Sequence, residues 1–337
     1  MAQSKKYKVA INGFGRIGKQ FFLACLEEKV DWEFIINELT ELDAIVYTLK
    51  HDSVHKPIEG EVKHDGKFLY VGKKKIKMIN EMNVEKLPWK EENIDLVVDC
   101  TGLFTKAEDA KKHIAAGAKR VLISAPAKGH DCTIVYGINN SALKKEHKII
   151  SAGSCTTNCV APMAKIINDK FGIKAAHFVT THAMTATQKL IDTYGKKDYR
   201  GGRAASINIV PSTSGASISV VEVIPQLKGK LEGYALRVPV VDGSITSLFA
   251  KVEKPATVKE VKDLFKNKSS TDMKGILEYT DEQLVSCDIV NNPASCIFDS
   301  ELVKVVDDTI SIAGWYDNEY GYSHRLANVA GLVLNLK

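Results

Sequence analysis

The sequence predicts an α/β chain in two parts: a doubly wound parallel sheet, then an α+β unit with a mostly antiparallel sheet. Three observations predict it. Over residues 1–153, short apolar runs alternate with amphipathic stretches, as strand–helix–strand units require. A glycine-rich turn, Gly13-x-Gly15-x-x-Gly18, joins the first apolar run to the first amphipathic stretch. From residue 154 onward one long helical pattern gives way to clustered strand-like runs with few helices between them.

The elements follow in order. "YKVAING" reads as a strand and "RIGKQFFLACLEE" as a helix, with Ile17, Phe21, Phe22, Leu23 and Leu26 forming a broad apolar face. "WEFIIN" is the second strand. "GEVKHDGKFLYVGKKKIKMI" alternates in polarity and carries an Asp-Gly turn, which predicts an inserted antiparallel hairpin. "DLVVDCTG" and "KRVLISAP" are further strands, with "TKAEDAKKHIAAG" a helix between them that stops at Gly117. A helix over about residues 155–170 opens the second part. "KAAHFVTTHAM" follows, then a Gly/Ser/Arg-rich loop over residues 195–217. The runs "YALRVPVV", "SITSLFAKVE" and "SCIFD" are strands, "KEVKDLFKNKS" is a helix, and the last stretch, "EYGYSHRLANVAGLVLNLK", is helical.

Bulk properties exclude several classes. The 337 residues suffice for two domains, each with its own core. A net charge of +5, spread along the chain, gives no basic arm for nucleic acid. No apolar run reaches the length of a membrane span. The first residues run straight into a strand and carry neither a secretory nor a transit pattern, so the seven cysteines are expected to be reduced and the chain cytoplasmic.

The glycine turn suits a dinucleotide. Its glycines permit a tight turn and close approach of backbone to a pyrophosphate, over a helix N-terminus that favours anions. Glu38 ends the second strand about 20 residues later, where a carboxylate holds ribose hydroxyls and repels a 2′-phosphate; this points to NAD, the alternative being a solvated loop acid.

"SAGSCTTNC" raises a separate question, because Cys155 and Cys159 stand four residues apart at a helix start. A disulfide conflicts with the expected compartment, and no second ligand pair accompanies them for zinc, so no metal site is expected. Ser154 can cap the helix, and a helix N-terminus depresses a thiol pKa, so Cys155 reads as a nucleophile. Cys159, one turn further in, reads as a small buried hydrophobe. The helix end supplies less than one pKa unit, roughly 0.3–1 kcal/mol, so a paired imidazole is required. Among nine histidines the candidate is His182, at the end of a strand in "VTTHAMTATQ".

"INGFGRIG", "SCTTNC", "HAMTATQ", "RGGRAAS", "RVP" and "WYDNEYGYSHR" together resemble, in order and nearly end to end, the phosphorylating NAD-dependent glyceraldehyde-3-phosphate dehydrogenase family. The resemblance implies a Rossmann-type NAD-binding domain over 1–153, a catalytic domain over 154–317, and a C-terminal helix over 318–337 returning to the first domain. It also implies a homotetramer. The implied activity is glycolytic oxidation of glyceraldehyde 3-phosphate, with inorganic phosphate, to an acyl phosphate. In this scheme Cys155 attacks the aldehyde and His182 keeps it ionised and takes the hydroxyl proton. The implied NAD contacts are Phe14, Gly15, Arg16, Ile17, Glu38, Thr101, Gly102, Ser124, Asn318 and Tyr322. Thr185 and Arg237 would take the substrate phosphate; Ser154, Thr156, Ser214 and Gly215 would take inorganic phosphate, with Thr213 an alternative to Ser214. The chain departs from the family pattern at Glu38, where Asp is usual, at Met82 for an adenine-contacting arginine, at Tyr194 for proline and at Gly153 for alanine. Two other functions stay open from the residues: an erythrose-4-phosphate dehydrogenase that uses water as acceptor, and a non-enzymatic binding protein.

Overall fold

The computed structural model describes residues 6–195 and 198–336, which divide into two compact units. The first comprises residues up to 134, then 140–153, and 323 onward; the second comprises 135–139 and 154–322.

In the first unit the chain runs β1 (Tyr7–Asn12), α1 (Arg16–Glu27), β2 (Trp32–Asn37), α2 (Leu42–Lys50), β3 (Val62–His64), β4 (Phe68–Val71), β5 (Lys74–Ile79), β6 (Leu96–Asp99), α3 (Ala107–Ala115), β7 (Val121–Ile123), β8 (Cys132–Thr133) and β9 (Ile149–Ser151). These strands form one nine-stranded sheet in the order β3-β4-β5-β2-β1-β6-β7-β9-β8. It is parallel from β5 through β8, as helical crossovers impose. The inserted segment is a three-stranded antiparallel meander, not a lone hairpin, and its last strand joins the parallel sheet beside β2. Its turn is the Asp-Gly of the sequence: Asp65 accepts N–H bonds from Lys67 and Phe68, and Gly66 has φ +90°. The strand order reverses direction beside β1, so the crevice at the C-terminal ends of β1 and β6 is the topological switch point. One face of the sheet is closed by Trp89, Ile94, Ala107 and Ala110.

The second unit contains α4 (Cys155–Phe171), β10 (Ile173–His182), β11 (Val210–Thr213), α5 (Ala216–Val223), β12 (Leu231–Arg237), β13 (Ser244–Val252), α6 (Val258–Ser270), β14 (Leu277–Thr280), β15 (Cys296–Val306) and β16 (Thr309–Tyr316); α7 (Tyr320–Leu334) begins in it. Its seven strands follow the order β11-β12-β10-β13-β16-β15-β14. Pairing is mostly antiparallel, with β10–β12 and β14–β15 parallel. α4 buries Cys159, Val160, Met163, Ile166, Ile167 and Phe171 in a core shared with Phe178, Leu248 and Phe298. This apolar stripe at helical spacing makes the segment a helix despite Pro162 inside it.

The boundaries differ from those the sequence suggested. Residues 318–322 belong with the second unit, because Asp317 accepts N–H bonds from Glu319, Tyr320 and Asn291, and Asn318 accepts from Ser244. Val135–Asn139 also belongs there. The residues grouping with the first unit at the C-terminus start at Ser323.

Candidate active site

In the first unit, β1 ends in the glycine turn. Gly13 has φ +86°, and a Cβ on it would lie 2.8 Å from Thr101 Cγ2; a Cβ on Gly18 would lie 2.1 Å from the Gly13 carbonyl oxygen. Glycine at both positions lets β1, α1 and the loop after β6 close together. Gly15 is the exposed N-cap of α1, has open space where a Cβ would stand, and no side chain caps the helix. A phosphate fits such an uncapped start. Phe14 is buried against Phe22, and its N–H donates to Glu38 at 2.6 Å. Glu38 also accepts from Leu39 N–H, Thr40 N–H and the Thr40 hydroxyl. Burial pushes its pKa up, but these bonds pull harder and hold the carboxyl below its ordinary value. It is therefore an ionised, immobilised carboxylate.

A cavity of about 320 Å³ opens beside these groups, lined in part by Gly13, Gly15, Glu38 and Thr101. Leu39, Met82 and Leu103, all largely exposed, form apolar walls that suit a planar ring. The donor set, the uncapped helix and the fixed anion together fit a dinucleotide with an unphosphorylated 2′-hydroxyl. Gly102 has φ +70° with open space above it, and Ser124 is placed at the end of β7 by its N–H bond to the Asp99 carbonyl. Arg16 pairs with Asp52, and Ile17 is half-buried in the first turn of α1. Asn318 and Tyr322, expected with this group, are buried in the second unit.

In the second unit, Ser154 caps α4 as its sequence position requires: its hydroxyl accepts from Thr157 N–H, and the Thr157 hydroxyl accepts from Ser154 N–H. Cys155 follows as the first helical residue. Its Sγ lies 3.3 Å from His182 Nε2, at the end of β10. His182 Nδ1 is 2.7 Å from the Ala183 carbonyl, which can only accept, so Nδ1 carries the proton and Nε2 presents a lone pair to sulfur. This is the tautomer of a general base.

The resemblance has His182 keep Cys155 ionised. The structure disfavours each lone charge. Burial pushes the thiol up, partly offset by the Arg237 guanidinium and by bonds from Thr156. Burial also lowers His182 to about 3, with Arg237 adding to the shift and the Ala183 carbonyl opposing it. Burial thus opposes a charge on either group taken alone. Proton transfer along the 3.3 Å contact forms both charges together, so neither has to exist alone.

Arg237 ends β12 in direct register with His182. Its Nη1 is buried and, among the described residues, has no hydrogen-bond partner. A buried guanidinium N–H without an acceptor is costly, and an anion relieves it. Thr185 is half-buried in the turn after β10, with its hydroxyl 3.1 Å from that of Thr187. Gly215 is the exposed N-cap of α5.

Two of the hydroxyls expected at phosphate also have partners within the protein. Thr156 Oγ1 is buried, 3.0 Å from Tyr316 OH, and also serves the Cys155 sulfur. Ser214 Oγ accepts from Ala216 N–H, while its neighbour Thr213 is exposed at the end of β11. Sequence reasoning missed Tyr316. Its hydroxyl bridges Thr156 on α4 and Thr180 on β10, at 3.0 and 2.7 Å, and its ring packs edge-on against His182. It thus ties the helix bearing the thiol to the strand bearing the base. Its partners lie 136 and 160 residues away, beyond any local pattern.

The same two units are recognised by comparison with known proteins. A family model described as glyceraldehyde 3-phosphate dehydrogenase, NAD binding domain, matches residues 7–107, and one described as the C-terminal domain of that enzyme matches residues 154–318. Glyceraldehyde-3-phosphate dehydrogenase 2 of Streptomyces avermitilis is 46% identical over 331 residues, covering 97% of this chain and 98% of that one. The enzyme of Chlamydia pneumoniae is 47% identical over 329 residues with the same coverage. That of Phytophthora infestans is 43% identical over 323 residues, covering 95% and 97%. The chain belongs to the glyceraldehyde-3-phosphate dehydrogenase family.

Proposed function

We propose that this protein oxidises glyceraldehyde 3-phosphate to 1,3-bisphosphoglycerate, with NAD as oxidant and inorganic phosphate as acyl acceptor. The observation that carries the reading is the 3.3 Å contact between Cys155 Sγ and a His182 Nε2 whose lone pair is fixed toward sulfur. Cys155 gives its proton to His182 and attacks the aldehyde carbon, forming a thiohemiacetal. The Cys155 backbone N–H, free at the first position of α4, faces the developing oxyanion together with the imidazole. His182 returns that proton to the oxyanion, giving the thiohemiacetal hydroxyl, and takes it back as the hydride leaves. NAD, when bound, supplies the hydride acceptor. The product is a Cys155 thioester, which phosphate attacks at the carbonyl carbon, releasing the acyl phosphate and restoring the thiolate. The unpartnered Arg237 Nη1 supports a subsite for the phosphate of the substrate, with Thr185 at the neighbouring turn. Ser154, Thr156, Gly215 and either Ser214 or Thr213 are the candidates for the second anion.

Assembly into a homotetramer fits the surface of the second unit. Leu190, Ile191, Tyr194, Tyr199, Ile207 and Ile209 are all exposed along one loop, more apolar surface than an isolated subunit usually leaves in water. Among the described residues no helix is long and apolar enough to cross a membrane. All seven cysteines are free thiols, which supports a reducing, cytoplasmic location.

An assay of NADH formation tests the reading, using glyceraldehyde 3-phosphate and erythrose 4-phosphate, with and without phosphate. Phosphate-dependent turnover of the triose phosphate is expected. Equal turnover without phosphate, or a preference for the tetrose, overturns it. Light scattering of the purified chain tests the assembly, with a tetramer mass expected.

A further inference from the structure

Beneath the cavity of the first unit lies a buried polar chain that crosses the ends of three strands. Asn37, at the end of β2, is held by both backbone groups of Glu81: it donates to the carbonyl and accepts from the N–H. Its amide donates to Asn12 Oδ1 at 2.8 Å, which fixes Asn12 with Nδ2 pointing the other way. That Nδ2 donates to Asp99 Oδ2 at 2.7 Å, at the end of β6. Asp99 Oδ1 accepts from the N–H and the hydroxyl of Thr101. His113, on α3, completes the set with Nε2 3.4 Å from Asp99 Oδ2.

The protons in this chain are determined by its members. Trp89 Nε1 is a donor only and lies 3.0 Å from His113 Nδ1, so Nδ1 carries a lone pair and Nε2 carries the proton. Asn12 Nδ2 cannot accept that proton, so Nε2–H points at Asp99. The carboxylate therefore collects four donors, two on each oxygen. Asp99, His113 and Trp89 are all within 1% of complete burial. A buried carboxylate keeps one orientation only while its donors stay in place. Asp99 in turn orients Thr101, whose hydroxyl accepts from Leu103 N–H and whose loop lines the cavity.

We propose that His113 is a positioning residue for the dinucleotide, acting through Asp99 on Asn12 and the loop from Cys100 to Leu103. It touches no cofactor atom itself. Its imidazole supplies the donor that stops the Asp99 carboxylate from rotating, and Trp89 locks the tautomer that makes this possible. The proposal rests on the reading that this cavity takes NAD.

Calorimetric titration of NAD into the wild type, His113→Leu, His113→Gln and Asp99→Asn tests it, alongside kcat, both KM values and the urea midpoint of the unliganded proteins. Loss of a hydrogen bond to a buried charge predicts an NAD Kd and KM raised about tenfold in His113→Leu. The aldehyde KM and the kcat at saturating NAD should change less than about twofold, since uniform binding alone is lost. Asp99→Asn, which turns an amide against its former donors, should behave alike. His113→Gln, whose Nε2–H reaches the same oxygen, should restore affinity to within about threefold. A folded His113→Leu that binds NAD like the wild type overturns the proposal, as does a lowered urea midpoint with unchanged Kd. If His113→Leu does not fold, Asp99→Asn, equal in shape to the native residue, decides by the same criterion. A wild type that fails to bind NAD defeats the cofactor reading instead.

Discussion

Replacing Tyr316 by Phe removes one oxygen and leaves the ring packed against His182. That hydroxyl holds two buried bonds, to Thr156 at 3.0 Å and to Thr180 at 2.7 Å. Each is worth about 1 kcal/mol net, so the loss is about 2 kcal/mol. Thr180 recovers part of its share, because its hydroxyl also lies 3.4 Å from the Ile245 carbonyl. The expected destabilisation is thus about 1–2 kcal/mol. A cycle with Thr156→Val sharpens the test, since both changes delete the same bond. The double variant should be more stable than the sum of the single losses predicts, by about 1 kcal/mol. Equilibrium urea unfolding at one protein concentration, which holds subunit association constant, measures this. Activity should fall as well, because the hydroxyl sets the position of α4 against β10. Additive losses with unchanged activity refute the claim that this bridge holds the thiol and the base in register.

Glu38→Gln turns an amide toward the N–H donors that the carboxylate now accepts. It also removes the charge that repels a 2′-phosphate, so the NAD-to-NADP ratio of kcat/KM should fall about tenfold. Because the folded pKa of Glu38 lies below its unfolded value, its stabilisation is present above the unfolded pKa and is lost as pH falls through the folded one. The wild type should therefore lose more stability than Glu38→Gln on acidification below about pH 4.5, read by thermal melts. Ser154→Ala removes the cap of α4 and should cost about 1 kcal/mol in urea unfolding, whereas Ser154→Asp, which also accepts at that position, should retain most of it.

Some of this molecule is readable along the chain, and some is not. Gly13 and Gly18 announce a close approach that only glycine permits, and the structure shows the backbone and side-chain atoms a Cβ would meet. Ser154 signals the start of α4 because capping is local, and Asp65-Gly66 signals a hairpin for the same reason. The parallel pairing of β10 with β12 escapes such reading, since each strand has the same period in either direction. Tyr316 lies in an aromatic stretch that reads as core, and it is core; only its hydroxyl partners give it a second task. The Asn12–Asp99–His113 chain joins residues up to 101 positions apart. The Thr156 hydroxyl has a partner that local pattern does not announce, Tyr316, which lies 160 residues away.

In the proposed mechanism His182 makes Cys155 a nucleophile. The pH dependence of Cys155 alkylation by iodoacetamide in the wild type and in His182→Asn measures this, read on the Cys155 peptide because Cys287 is exposed and would react as well. With no base at 3.3 Å, burial outweighs the Arg237 guanidinium and the Thr156 bonds and holds the thiol above its ordinary value of 9.0. The wild type should react at least about tenfold faster at neutral pH, and the variant should gain reactivity only as pH rises past that value. Superimposable profiles would contradict the account.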